Sequence, residues 1–101
     1  MGSPVTVGKA EDVAEGTVRP FAAGGKPVAV CRVGGVLHAL DGTCPHRGGP
    51  LGEGTLADGV LTCPWHGWRF EAATGNCLNA PGKAAVRFPV REESGSIVVE
   101  V

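Results

Sequence analysis

Cys44-Pro45-His46-Arg47-Gly48-Gly49-Pro50-Leu51 is answered further along by Cys63-Pro64-Trp65-His66-Gly67-Trp68-Arg69-Phe70, and this pair of segments decides how the chain is read. Sixteen residues separate His46 from Cys63. Each segment offers one soft thiolate and one imidazole. Pro and Gly crowd both, as expected where a tight turn must aim two side chains at one point. Cys44, His46, Cys63 and His66 are therefore candidate metal ligands.

The division of one Cys and one His per segment narrows the metal. Common structural zinc modules take two Cys from one knuckle and two His from a helix, but no helical pattern carries these histidines. A [2Fe–2S] cluster with unequal irons fits better, because two thiolates can hold one iron and two imidazoles the other. A structural Zn²⁺ site is the plainer alternative; it is colourless, whereas an iron–sulfur protein is coloured and holds acid-labile sulfide. A nucleophilic-cysteine enzyme fits least, since both loops would compete for one role and no orienting carboxamide or carboxylate is identifiable.

The two segments match in residue type, spacing and order the cluster loops of Rieske-type ferredoxins, and the chain resembles that family over nearly its whole length. The resemblance implies that Cys44 and Cys63 bind the inner iron and His46 and His66 the outer one. It also implies an all-β fold, in which strands from both ends of the chain build antiparallel sheets and the two loops form a small cluster-binding subdomain, about residues 41–82, at the tip. Rieske proteins of respiratory and photosynthetic complexes carry an extra Cys in each loop, joined by a disulfide; this chain has Gly49 and Trp65 there. Where those relatives have Ser and Tyr donors to sulfur, this chain has Trp68 and Phe70. Without such donors the reduced cluster is stabilised less, so the potential should lie in the lower part of the Rieske range of roughly −150 to +300 mV.

The implied role is a soluble electron carrier rather than an enzyme. It would take one electron from an NAD(P)H-dependent flavoprotein reductase and pass it to a ring-hydroxylating-type oxygenase, both partners transient and the carrier monomeric. The small Rieske subunit of a nitrite reductase-like enzyme is the alternative that keeps the cluster. Pro45, Gly48, Pro64 and Trp65 would form a flat docking face suited to brief encounters; Pro81 either matches the family's third, cluster-covering loop or sits in a plain linker turn.

Composition agrees with a single domain. The chain has 101 residues, 17 of them Gly and 8 Pro, with 43% apolar residues that a disordered chain would lack. A formal net charge of −1 without a basic run argues against nucleic acid or an anionic membrane as partner. No signal-peptide pattern and no apolar run near ~20 residues is present, which points to the cytoplasm. Cys31 lies in an apolar strand and is expected to be a buried, inert thiol. A bridge to Cys77 stays open at this level.

Along the chain, strands are expected at Val5–Val7, Val18–Ala22, Pro27–Val33, Val36–Leu40, Thr55–Leu56, Val60–Leu61, Trp68–Glu71, Val86–Val90 and Ile97–Val101. Gly24-Gly25, Gly34-Gly35 and Ala57-Asp58-Gly59 mark turns between them. Lys9 to Gly16 makes at most one helical turn, with Glu11, Asp12 and Glu15 as a solvated loop, and His38 is an ordinary strand residue. Arg47 and Arg69, beside the ligand positions, are expected to be exposed. Trp68 is expected to pack in the core.

Overall fold

A computed structural model of the chain describes residues 3–45, 48–65, 67–80 and 82–101. Among the described residues ten strands form three antiparallel sheets. The first sheet joins the two ends of the chain: β1 (Pro4–Lys9), β10 (Ser96–Glu100) and β9 (Val90–Glu93), in that order. The second contains β2 (Val18–Ala23), β3 (Lys26–Val33), β4 (Val36–Asp41) and β8 (Arg87–Phe88). The third is a small meander of β5 (Thr55–Ala57), β6 (Val60–Thr62) and β7 (Arg69–Glu71).

The middle sheet organises the rest, and β3 shows why. Successive side chains of a strand point to opposite faces, so a strand with one wet face alternates apolar and polar residues. Pro27-Val28-Ala29-Val30-Cys31 does not alternate, because both faces are covered. Val28 and Val30 enter a core with Ala39, Ile97 and Val99 under the terminal sheet. Ala29 and Cys31 enter a second core with Leu40, Leu51, Leu61 and Phe70, and this core also holds Cys44 and Cys63. All four of these β3 residues are at most 1% exposed. One sheet thus serves as the floor of the two-loop region and the roof of the base.

Turn chemistry sets the registers. β2–β3, β3–β4, β5–β6 and β9–β10 are each closed by two residues, and both residues of every turn have positive φ. That geometry matches the twist of paired strands and favours Gly. Asp58 (φ 51°) and Ser94 (φ 50°) take the first position in the last two turns, each followed by Gly.

Two expectations are corrected. The run Val86–Val90 is not one strand: β8 pairs with β4 in the middle sheet, whereas β9 pairs with β10 in the terminal one. Pro89 stands at the break. It has no N–H to give either ladder, so the chain changes sheets there at little cost, while its carbonyl still accepts from Glu100 N–H at 2.9 Å. Secondly, Glu15 is not merely solvated. Its two carboxylate oxygens each accept a 2.7 Å hydrogen bond, from Gly34 N–H and Gly35 N–H, and so brace the β3–β4 turn. Ala10–Asp12 forms the expected single turn, of 3₁₀ type.

Candidate metal centre

Loop one leaves β4 at Asp41 and reaches the short 3₁₀ turn Leu51–Glu53; loop two links β6 to β7. Asp41 starts the first with a side-chain hydrogen bond from Thr43 N–H (2.9 Å), a local turn device of Asp and Asn. Gly42 N–H donates to Pro27 O (2.9 Å), and a Cβ on Gly42 would sit 2.8 Å from the Pro27 carbonyl carbon. Only glycine allows the loop so close to β3.

Beyond these starts the two loops share one backbone scheme. Cys44 N–H donates to Gly49 O (2.8 Å) and Cys44 O accepts from Gly48 N–H (2.9 Å). Cys63 N–H donates to Trp68 O (2.8 Å) and Cys63 O accepts from Gly67 N–H (3.3 Å). In both, the residue four after the cysteine is a left-handed glycine, Gly48 at φ 75° and Gly67 at φ 73°. The same turn is therefore built twice, around two thiols that are 2% and 3% exposed.

The loops also touch. A Cβ added to Gly49 would lie 2.8 Å from Cys63 Sγ and 3.1 Å from Trp65 Cγ. Gly49 and Trp65 are the positions where disulfide-bearing relatives are expected to have their extra cysteines, and here glycine-on-indole packing joins the loops instead. Trp65 remains exposed on its outer side, and Pro45, Gly48 and Pro64 are exposed with it.

The loops differ one step further on. The sixth residue after Cys44 is Pro50, which has no N–H to satisfy. The sixth after Cys63 is Arg69, whose N–H donates to Asn79 Oδ1 at 3.0 Å. Asn79 Nδ2 donates in turn to Gly67 O at 3.1 Å, and Leu78 N–H donates to Arg69 O at 2.7 Å. Asn79 had no signal in the sequence beyond lying next to a Pro-Gly turn.

Of the predicted site residues, Cys44 and Cys63 are brought to one buried cluster on neighbouring loops. His46 and His66 lie outside the described residues, as do Arg47 and Pro81. Two buried thiols on twinned loops, in contact through a glycine, are a donor set that suits a metal–sulfur group: soft ligands, shielded from water, on a backbone already fixed by its own hydrogen bonds. Cys31 and Cys77 are also free thiols. Burial, opposed by the Arg87 charge, pushes the Cys31 thiol up to about 11, so it stays protonated and inert. Cys77 Sγ lies 3.4 Å from Asn79 Oδ1. Arg69 is exposed and makes no ion pair among the described residues. Trp68 is half-buried against the fully buried Phe70, ring centroids 6.4 Å apart. His38 lies in β4 shortly before loop one and packs against Arg87 (Nδ1 to guanidinium 3.3 Å) on the middle sheet, an ordinary strand residue.

A small antiparallel β protein that brings two equivalent Cys-bearing loops together over one core has the build of a metal–sulfur module. The Rieske [2Fe-2S] domain model matches residues 3–91, and the chain belongs to that family, whose domain carries one Rieske-type [2Fe–2S] cluster. It is 34% identical over 96 residues to the ferredoxin component of the alkene monooxygenase system of Xanthobacter autotrophicus, covering 94% of this chain and 79% of that one. It superposes with a TM-score of 0.85, at 35% identity, on a chain of the solved complex of reduced oxygenase and oxidized ferredoxin in carbazole 1,9a-dioxygenase, covering 96% of this chain and 92% of the other. It is also 35% identical over 95 residues to apoptosis-inducing factor 3 of Mus musculus, which is 93% of this chain but 16% of that much longer protein. Among the described residues no helix is long and apolar enough to cross a membrane.

Proposed function

We propose that the chain is a one-electron carrier, in which Cys44 and Cys63 hold one iron and His46 and His66 the other. The observation that carries this reading is the pair of buried thiols on hydrogen-bond-matched loops in mutual contact. A bound [2Fe–2S] cluster supplies the one-electron couple. The protein's own residues do the rest. The Cys44 and Cys63 backbones lock each loop, Gly49 lets the loops close on each other, and Phe70 fills the floor with a ring that has no hydrogen-bond donor. Residues 41–82 act as the cluster-binding part of one domain. Pro45, Gly48, Pro64 and Trp65 form the exposed rim where partners dock briefly.

The partners are an NAD(P)H-dependent flavoprotein reductase that delivers the electron and an oxygenase that takes it. Two matches, one an alkene monooxygenase ferredoxin component and one in a carbazole dioxygenase complex, support an oxygenase system without selecting its substrate. The carrier works as a soluble, cytoplasmic monomer and is not itself an enzyme. Purified protein should contain two irons and two sulfides per chain. Its midpoint potential should fall in the lower part of the interval from roughly −150 to +300 mV. A colourless protein without labile sulfide after anaerobic reconstitution overturns the assignment, and a midpoint above about +150 mV overturns the oxygenase-type role.

A further inference from the structure

Loop two ends in a segment whose backbone is pinned group by group. Gly67 N–H is bonded to Cys63 O, Trp68 O to Cys63 N–H, and Arg69 O to Leu78 N–H. Two further groups, Gly67 O and Arg69 N–H, are taken by the two ends of one carboxamide, that of Asn79. A carboxamide is the side chain that offers a donor and an acceptor on one rigid plane. Asn79 comes from a different loop, tied to the meander by the bridge Phe70↔Cys77 and closed on itself by Asn76↔Ala84. Gly67 is the residue directly after His66.

We propose that Asn79 is a positioning residue for the cluster: its carboxamide clamps Gly67 and Arg69 and so fixes the backbone that follows the proposed ligand His66 in the chain. This inference rests on the ligand set proposed above. Groups that orient a ligand matter for metal retention nearly as much as the ligand itself, with losses of about 10–100-fold on removal. At the position matching Arg69, loop one has Pro50, which has no N–H to satisfy. The acceptor half of the clamp is therefore specific to loop two.

The test compares Asn79→Ala, which loses both bonds and the Cys77 Sγ contact, with Asn79→Asp, which keeps the acceptor for Arg69 N–H and Cys77 Sγ but cannot donate to Gly67 O. Leu78→Ala, one residue away and exposed on the same loop, is the control. In the holoprotein, iron release to a ferrous chelator should be about tenfold faster in Asn79→Ala, intermediate in Asn79→Asp and unchanged in Leu78→Ala. The electron paramagnetic resonance signal of the reduced Asn79→Ala protein should broaden, reporting a spread of ligand geometries. Amide exchange, followed by mass spectrometry in the holoprotein, should accelerate at Gly67–Arg69 and not in β3. Release and line width equal to wild type overturn the proposal, as does exchange that rises equally in β3, which would mark a global loss of stability. Absence of a cluster from the wild type would instead refute the proposed function, while faster Arg69 exchange would still report the clamp.

Discussion

The two cysteine loops make one turn from two different surroundings. Both close Cys N–H on the carbonyl five residues ahead and Cys C=O on the N–H of a left-handed glycine four ahead. Loop one then leaves through Pro50 and packs its Gly49 against the other loop, with no room for even a methyl group. Loop two leaves through Arg69, held from outside by Asn79, and a Cβ on its Gly67 would meet nothing within 4 Å. Loop one is thus constrained by contact and loop two by borrowed hydrogen bonds. Symmetry of the inner turn does not extend to what supports it.

The largest expected effects would confirm the symmetry. Cys44→Ser and Cys63→Ser should each abolish the visible chromophore and bound sulfide, to the same extent. A cluster retained in one variant but not the other would break the equivalence of the loops. Next, Gly49→Ala forces its new methyl into Cys63 Sγ and Trp65, an overpacking cost of about 1–3 kcal/mol, and should sharply reduce cluster content measured by absorbance per protein. Gly67→Ala is the matched change in loop two. It has open space, so its cost is the left-handed backbone alone, about 1 kcal/mol. Urea unfolding of both apo variants should rank Gly49→Ala as the less stable, and equal midpoints would erase the distinction drawn here.

The smallest effect near neutral pH concerns the floor both loops share. Burial raises the Cys31 thiol from 9.0 to about 11. Below pH 9 both folded and unfolded chains keep that proton, and the shift costs nothing. Above it the unfolded thiol ionises while the folded one does not, so stability should fall as pH rises from 9 to about 11. Cys31→Ala should flatten that decline in urea titrations run across the alkaline range. An unchanged slope would mean that Cys31 is not what couples the floor to pH. At the acid end, burial and then Arg87 lower the His38 pKa. Stability should therefore slip as pH drops below the usual histidine value, and His38→Gln should weaken that dependence.

Much of this was readable from residue types. The paired Gly turns, the β-branched runs and the absence of a helical period define an antiparallel β protein, because each acts within a few residues of itself. Cys44 and Cys63 stand out for the same reason: Cys, Pro, His and Gly at fixed short offsets describe a local turn. The split of the Val86–Val90 run was half legible, since Pro89 marks a break but not which ladder each half joins. Asn79 was not legible, because a carboxamide reaching ten residues back looks in sequence like any polar loop residue. Nor was Glu15, whose partners lie 19 and 20 residues away.

By itself the sequence determined the turn types, the strand runs and the four candidate ligands, all consequences of short-range stereochemistry and side-chain chemistry. Only the tertiary structure decided that β3 is covered on both faces, that Gly49 meets Cys63, and that Asn79 takes up Gly67 O and Arg69 N–H, the second of which has no counterpart at Pro50 in the other loop. Those depend on which distant segments are brought together. Burial then requires each polar group to find a partner, and local sequence does not say which one.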